Sequence, residues 1–89
     1  MLTMASVKQA SEDWKFIVKV GDDDMKASRH DSITDAEEAA AERSKVSWNK
    51  GAHVHRRSGE RIRSYHDGDL IGYLGTDGTP GAESRWCKV

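Results

Sequence analysis

Cysteine occurs once and proline once in these 89 residues, and no apolar run approaches the roughly 18 residues needed to cross a bilayer. Each scarcity removes a class of protein. The single thiol, Cys87, has no intrachain partner, whereas a small secreted domain of this size relies on several disulfides, so a reducing, cytoplasmic setting is expected. No basic stretch leads into an apolar core and a small-residue cleavage site, so neither export nor membrane attachment is expected. The formal net charge of −1 provides no overall field toward nucleic acid or anionic lipid. Polyanion binding would have to come from charge gathered on one face. With 36% hydrophobic and 33% charged residues, the chain is polar for a globular protein but not lopsided enough for general disorder. One domain with a thin core is expected over residues 13–74, between a flexible N-terminus (1–12) and a flexible tail (75–89).

The segment Trp14-Lys15-Phe16-Ile17-Val18-Lys19-Val20 alternates apolar and mostly charged positions, which predicts a strand burying Trp14, Phe16, Val18 and Val20. Gly21 to Asp24 reads as a turn and Met25 to His30 as a second strand. Thr34 and Glu37 have capping-box spacing, predicting a helix from about Asp35 to Ser47 that turns Ala36, Ala39, Ala40 and Val46 inward. Trp48 is expected to fill the gap at its exit, and Gly51 suits a left-handed cap. Ala52 to Arg56 and Arg61 to His66 read as two further strands. A three-residue Arg57-Ser58-Gly59 turn with Gly59 left-handed would pair Val54 with Ile62 and Arg56 with Glu60. From Asp67 onward five of the eight glycines and the proline cluster, which reads as loop or tail. Leu70, Ile71, Tyr73 and Leu74 form an apolar knot within it, suited to packing on the core or, alternatively, to a homodimer contact. The expected fold is α+β: two layers in β-β-α-β-β order, one helix on a four-stranded sheet, with a right-handed crossover if the first and third strands lie parallel.

Turning Trp14, Phe16, Val18, Val54 and Ile62 toward the helix places Lys15, Ile17, Lys19, His53, His55, Arg61, Arg63 and Tyr65 on the opposite face, with Arg57 at the turn. Lysine and arginine can hold phosphates and Tyr65 can stack a base, the combination used by sheet-based single-strand binders. An ordinary solvated sheet face carries similar residues, and no RNP motif, helix-turn-helix or zinc-finger spacing is present. His53 and His55 share a strand face, and with His30, His66 or Cys87 they could in principle build a zinc site. Irregular spacing and the neighbouring Arg61 and Arg63 argue against it. Turn chemistry accounts for Asp22 to Asp24, Asp67 and Asp69 without a calcium loop. No GxSxG, phosphate-binding glycine loop or HExxH is present, so neither catalysis nor a cofactor is expected.

The order of the Trp14 strand, Lys26-Ala27-Ser28, Thr34-Asp35-Ala36-Glu37-Glu38-Ala39-Ala40, Val54-His55-Arg56-Arg57-Ser58-Gly59-Glu60-Arg61-Ile62 and Ser64-Tyr65 resembles the small bacterial and phage domain-of-unknown-function family 2188. The likeness runs from about Trp14 to Gly68. The chain departs from the family pattern in its shorter helix and added tail. The resemblance implies the fold, no activity, and a bacterial or phage setting in which such domains bind and modulate a larger host machine. The expected function is therefore a non-catalytic binding module, with nucleic acid or a nucleic-acid-handling protein as partner. The competing expectation is an inhibitor or regulator of a host protein complex, acting through the acidic helix or the Leu70 to Leu74 knot.

Overall fold

A computed structural model of the chain describes residues 11–21, 23–46, 51–76 and 80–89. In chain order the elements are β1 (Phe16–Val20), β2 (Asp23–His30), α1 (Ile33–Val46), β3 (Ala52–Arg56), β4 (Arg61–His66), β5 (Asp69–Gly75) and β6 (Arg85–Lys88). The strands make one six-stranded sheet in the order β2-β1-β3-β4-β5-β6, and every neighbouring pair is antiparallel. The expectation of four strands and a flexible tail is therefore overturned. β1 and β3 are neighbours, but they run antiparallel.

The helix starts earlier than the Thr34 cap predicts. Ser32 caps it, its hydroxyl accepting from the Asp35 amide at 3.2 Å. This start brings Ile33 into the helix, where it packs against the core. Ala36 and Ala40 are buried as expected, and the next inward position is Ser44 rather than Val46, which is 82% exposed. Four-residue spacing from Ala40 selects Ser44. Its hydroxyl donates to the Ala41 carbonyl at 2.7 Å and accepts from the Gly68 amide at 2.8 Å, tying the end of the helix to the β4–β5 turn. Gly51 has φ of 70°, the left-handed geometry expected after the helix; Trp48 lies outside the described residues. The core joins Ala36 and Ala40 to Val18, Ala52, Val54, Ile62 and Tyr65, with Phe16, Leu70 and Leu74 packed at its margin. Small residues dominate it, so the helix lies close to the sheet and each contact buries little area. No helix of the described residues is long and apolar enough to cross a membrane.

The β3–β4 turn has the expected three residues. The Arg56 amide donates to the Glu60 carbonyl, the Gly59 amide donates to the Arg56 carbonyl, and Gly59 has φ of 104°. Arg56 and Glu60 also form an ion pair at 2.9 Å. The pairing of Val54 with Ile62 does not occur. Val54 pairs with Arg63 and His55 with Arg61, leaving Ile62 as the extra residue of a bulge.

β5 and β6 are the strands the glycines concealed. Asp67 and Gly68 both have positive φ, at 51° and 88°, and close a two-residue turn between the paired His66 and Asp69. Within the strands, glycine makes room for aromatic rings. A Cβ on Gly72 would lie 2.6 Å from Cζ2 of Trp86, and one on Gly75 would lie 2.8 Å from Cε2 of Tyr73. A glycine covered by a ring recovers the packing that it cannot provide itself.

Candidate nucleic-acid interface on the open sheet face

The bulge at Ile62 decides which β4 side chains reach the face away from the helix. A one-residue slip moves every later side chain to the other side. The expected open-face positions Arg63 and Tyr65 are therefore on the helix side, and Ser64 is on the open side. Tyr65 pairs with Ala52, is 8% exposed and belongs to the core. Its hydroxyl pKa is raised, first by loss of water on burial and then by the nearby Glu37 charge, with Arg63 opposing. Arg63 Nε donates to Glu37 Oε2 on the helix at 3.2 Å, a half-buried pair. Neither residue can contribute to a site on the open face.

The remaining expected residues are brought onto one face, but His55 is 9% exposed and Ser64 3%, so the middle of that face is closed and the expected binding role of His55 is not available to a ligand. β1 presents Ile17 and Lys19, which pair with His55 and His53 of β3. His53 Nδ1 and Ser64 Oγ share a hydrogen bond of 2.7 Å, placing Ser64 on the same face. The His53 and His55 rings stand edge to face with centroids 6.4 Å apart. Arg61 lies opposite His55 and is exposed. Lys15 continues the alternation just before β1. Its amide donates to the His30 carbonyl, and its carbonyl accepts from Arg57.

Three contributors to this side were not expected. Arg29 of β2 pairs with Ile17 and is exposed. Lys88 of β6 pairs with Gly72, itself opposite Ser64, and Trp86 lies over Gly72 with 40% of its surface exposed. The bulge takes away Tyr65, and β6 supplies Trp86. Trp14, expected in the core, instead sits at the corner of the sheet, with the Arg29 and Arg57 guanidinium carbons 5.1 and 4.5 Å from its ring centroid. It lies two residues before β1, where its ring meets those guanidiniums rather than the core. The signal for Trp86 was its place in Arg85-Trp86-Cys87-Lys88, a run too short to stand out after a glycine-rich stretch.

Lys15, Lys19, Arg29, Arg57, Arg61 and Lys88 thus occupy or border the open side, with Asp69 opposite His66 at its margin. Asp35, Glu37, Glu38 and Glu42 are on the helix across the sheet. Net charge near zero conceals this separation. On the helix side, Arg43 Nη1 donates to Ser28 Oγ at 3.0 Å, and Ser28 Oγ and His30 Nε2 are 2.8 Å apart. This is a polar brace between helix and β2. Among the described residues no group of three His, Cys, Asp or Glu side chains is placed to hold a metal ion. The apolar knot is also dispersed: Leu70 pairs with Tyr65 on the helix side, Leu74 touches the core but pairs with Trp86, Tyr73 leans over Gly75, and Ile71 is 47% exposed. Comparison with protein-family models, curated proteins and solved structures yields no match.

Proposed function

We propose that this protein is a non-catalytic binding module that holds single-stranded nucleic acid across its open sheet face. The observation that carries the reading is the joint presence there of Lys15, Lys19, Arg29, Arg61 and Lys88 with the exposed ring of Trp86, while Asp35, Glu37, Glu38 and Glu42 stand on the helix across the sheet. Cations neutralise phosphates without regard to sequence, and an exposed indole stacks any base. Six strands extend over about 24 Å at ~4.8 Å per spacing, room for several nucleotides laid across them. A duplex would offer the face its phosphates but not its stacked bases. The strand is therefore favoured over the duplex.

Anisotropy of a labelled single-stranded oligonucleotide tests the proposal. Arg61→Glu with Lys88→Glu should weaken binding by about tenfold or more, since each reversal removes one phosphate contact and adds a repulsion. Arg63→Gln, on the helix side, should leave affinity unchanged in whatever fraction stays folded. Equal loss in both variants would sink the open-face assignment. An unaltered double reversal with a tight protein partner would instead move the binding site to Glu38 and Glu42 on the helix.

A further inference from the structure

At the corner where β1 begins and the β3–β4 turn lies, an open groove of about 450 Å³ is lined by Trp14, Lys15, Phe16, Arg57 and Ser58, among others. We infer that this groove is a nucleotide site: Arg57, Lys15 and Ser58 take a terminal phosphate, and Trp14, Phe16 and Asp13 take the base or sugar. The inference deepens the open-face reading and rests on it for the identity of the natural ligand, a strand end, because Lys15 and Arg57 belong to both.

Arg57 is the residue that makes the corner specific. Its Nη1 donates to the carbonyls of Glu12 and Trp14, at 3.0 and 3.2 Å, while its guanidinium lies 4.5 Å from the Trp14 centroid. The plane is thus fixed by one nitrogen and one ring. Among the described residues Nε and Nη2 carry no further bond, the arrangement that accepts an oxyanion on two parallel donors. The ordering cost of the side chain has been met before the ligand arrives.

The other lining residues narrow the ligand. Lys15 is exposed and adds a second cation; Ser58 offers a hydroxyl beside Arg57. Arg56 also borders the groove, but Glu60 holds it at 2.9 Å. The Arg29 and Arg57 guanidiniums already lie over the Trp14 ring, so the apolar wall for a planar ring is the remaining indole edge and the groove side of Phe16. Asp13 would repel a bare dianion and welcome N–H or O–H donors, which a nucleobase and ribose possess and a simple alkyl phosphate lacks. The volume falls within the range of small-ligand sites.

The test is a titration of the ¹⁵N-labelled full chain with adenosine monophosphate, with adenosine and with inorganic phosphate, reading the Trp14 indole and Arg57 Nε signals. A mononucleotide is too short to cross the sheet, so shifts at Trp14 and Arg57, rather than at the Trp86 indole, report on the groove. The nucleotide should shift both signals and bind at least about tenfold more tightly than either fragment, and Arg57→Lys should lose about tenfold in affinity by keeping the charge and losing the fork. If Arg57→Lys disturbs the Val18 or Val54 amides, exposed Lys15→Gln should show a several-fold loss in its place. Silence at Trp14 and Arg57 up to about 10 mM nucleotide overturns the inference, as does phosphate binding as tightly as the nucleotide. An oligonucleotide without terminal phosphates separates the two readings. If it binds while adenosine monophosphate does not, the groove fails and the face stands; the reverse outcome keeps the groove and removes the face.

Discussion

The four strands in contact with the helix and the two beyond them are held by different means. β2, β1, β3 and β4 pack against α1, with Val18, Ala36, Ala40 and Val54 fully buried between the layers. β5 and β6 extend past that cover. They are joined by backbone ladders, by rings laid over Gly72 and Gly75, by the Ser44 hydroxyl at Gly68, and by Leu70 and Leu74 reaching back to the core margin. Apolar burial stabilises the first region, and close approach at glycine stabilises the second. The covered region gives rigidity to the open face, and the uncovered one gives it Lys88 and Trp86.

Removing volume from the covered region should have the largest effect on stability. Val54→Ala leaves a cavity at a fully buried position, and should cost about 2 kcal/mol, read as a lower urea midpoint. That is a large share of what so small a core provides. A change below about 0.5 kcal/mol would mean that the helix layer is looser than its burial implies. Gly72→Ala acts on the other region. Its Cβ would meet the Trp86 ring at 2.6 Å, so the ring must leave its seat. Amides of β6 should exchange faster by about tenfold while those of Val18 and Val54 hold. Uniform acceleration across all six strands would show that the two regions are one cooperative unit.

The smallest effect concerns pH. Tyr65 has a raised hydroxyl pKa in the folded chain because burial disfavours the phenolate. In the unfolded chain it ionises near 10, so above that pH the folded state holds more protons than the unfolded one and stability falls. Stability from this group is complete below about pH 10 and is lost as pH rises through the folded value. Tyr65→Phe should flatten the alkaline limb of a pH–stability curve. An unchanged limb would place the titration elsewhere.

The sequence made the covered region legible because its signals are local. Alternation identified β1, Ala36 and Ala40 marked the inward helix face, and Gly59 set the length of the β3–β4 turn. Two failures have the same physical origin. A bulge is one residue of slip that neither Ile62 nor Arg63 advertises, and it exchanged Tyr65 for Ser64 on the open face. Alternation alone cannot count such residues. At Asp67-Gly68 the signal was present, since an Asp-Gly pair between two runs is a hairpin turn. The glycines that followed suggested a tail, although two of them are the seats on which aromatic rings rest. The face was accordingly half legible: Lys15, Lys19, His53, His55 and Arg61 lie on the side that alternation assigned them, with His55 buried there, and Arg29, Lys88 and Trp86 became visible only through the pairing of β2 and β6.

The central claim is that segregated charge on the open face binds a nucleic-acid strand. The most direct measurement is the oligonucleotide titration repeated at about 50 and 200 mM salt, because phosphate neutralisation releases counterions. For four or five contacts, log affinity should fall with log salt at a slope of about −3, and Arg61→Glu with Lys88→Glu should make that slope shallower by at least about 1. Affinity that is indifferent to salt, or a slope unchanged by the double reversal, would contradict the account.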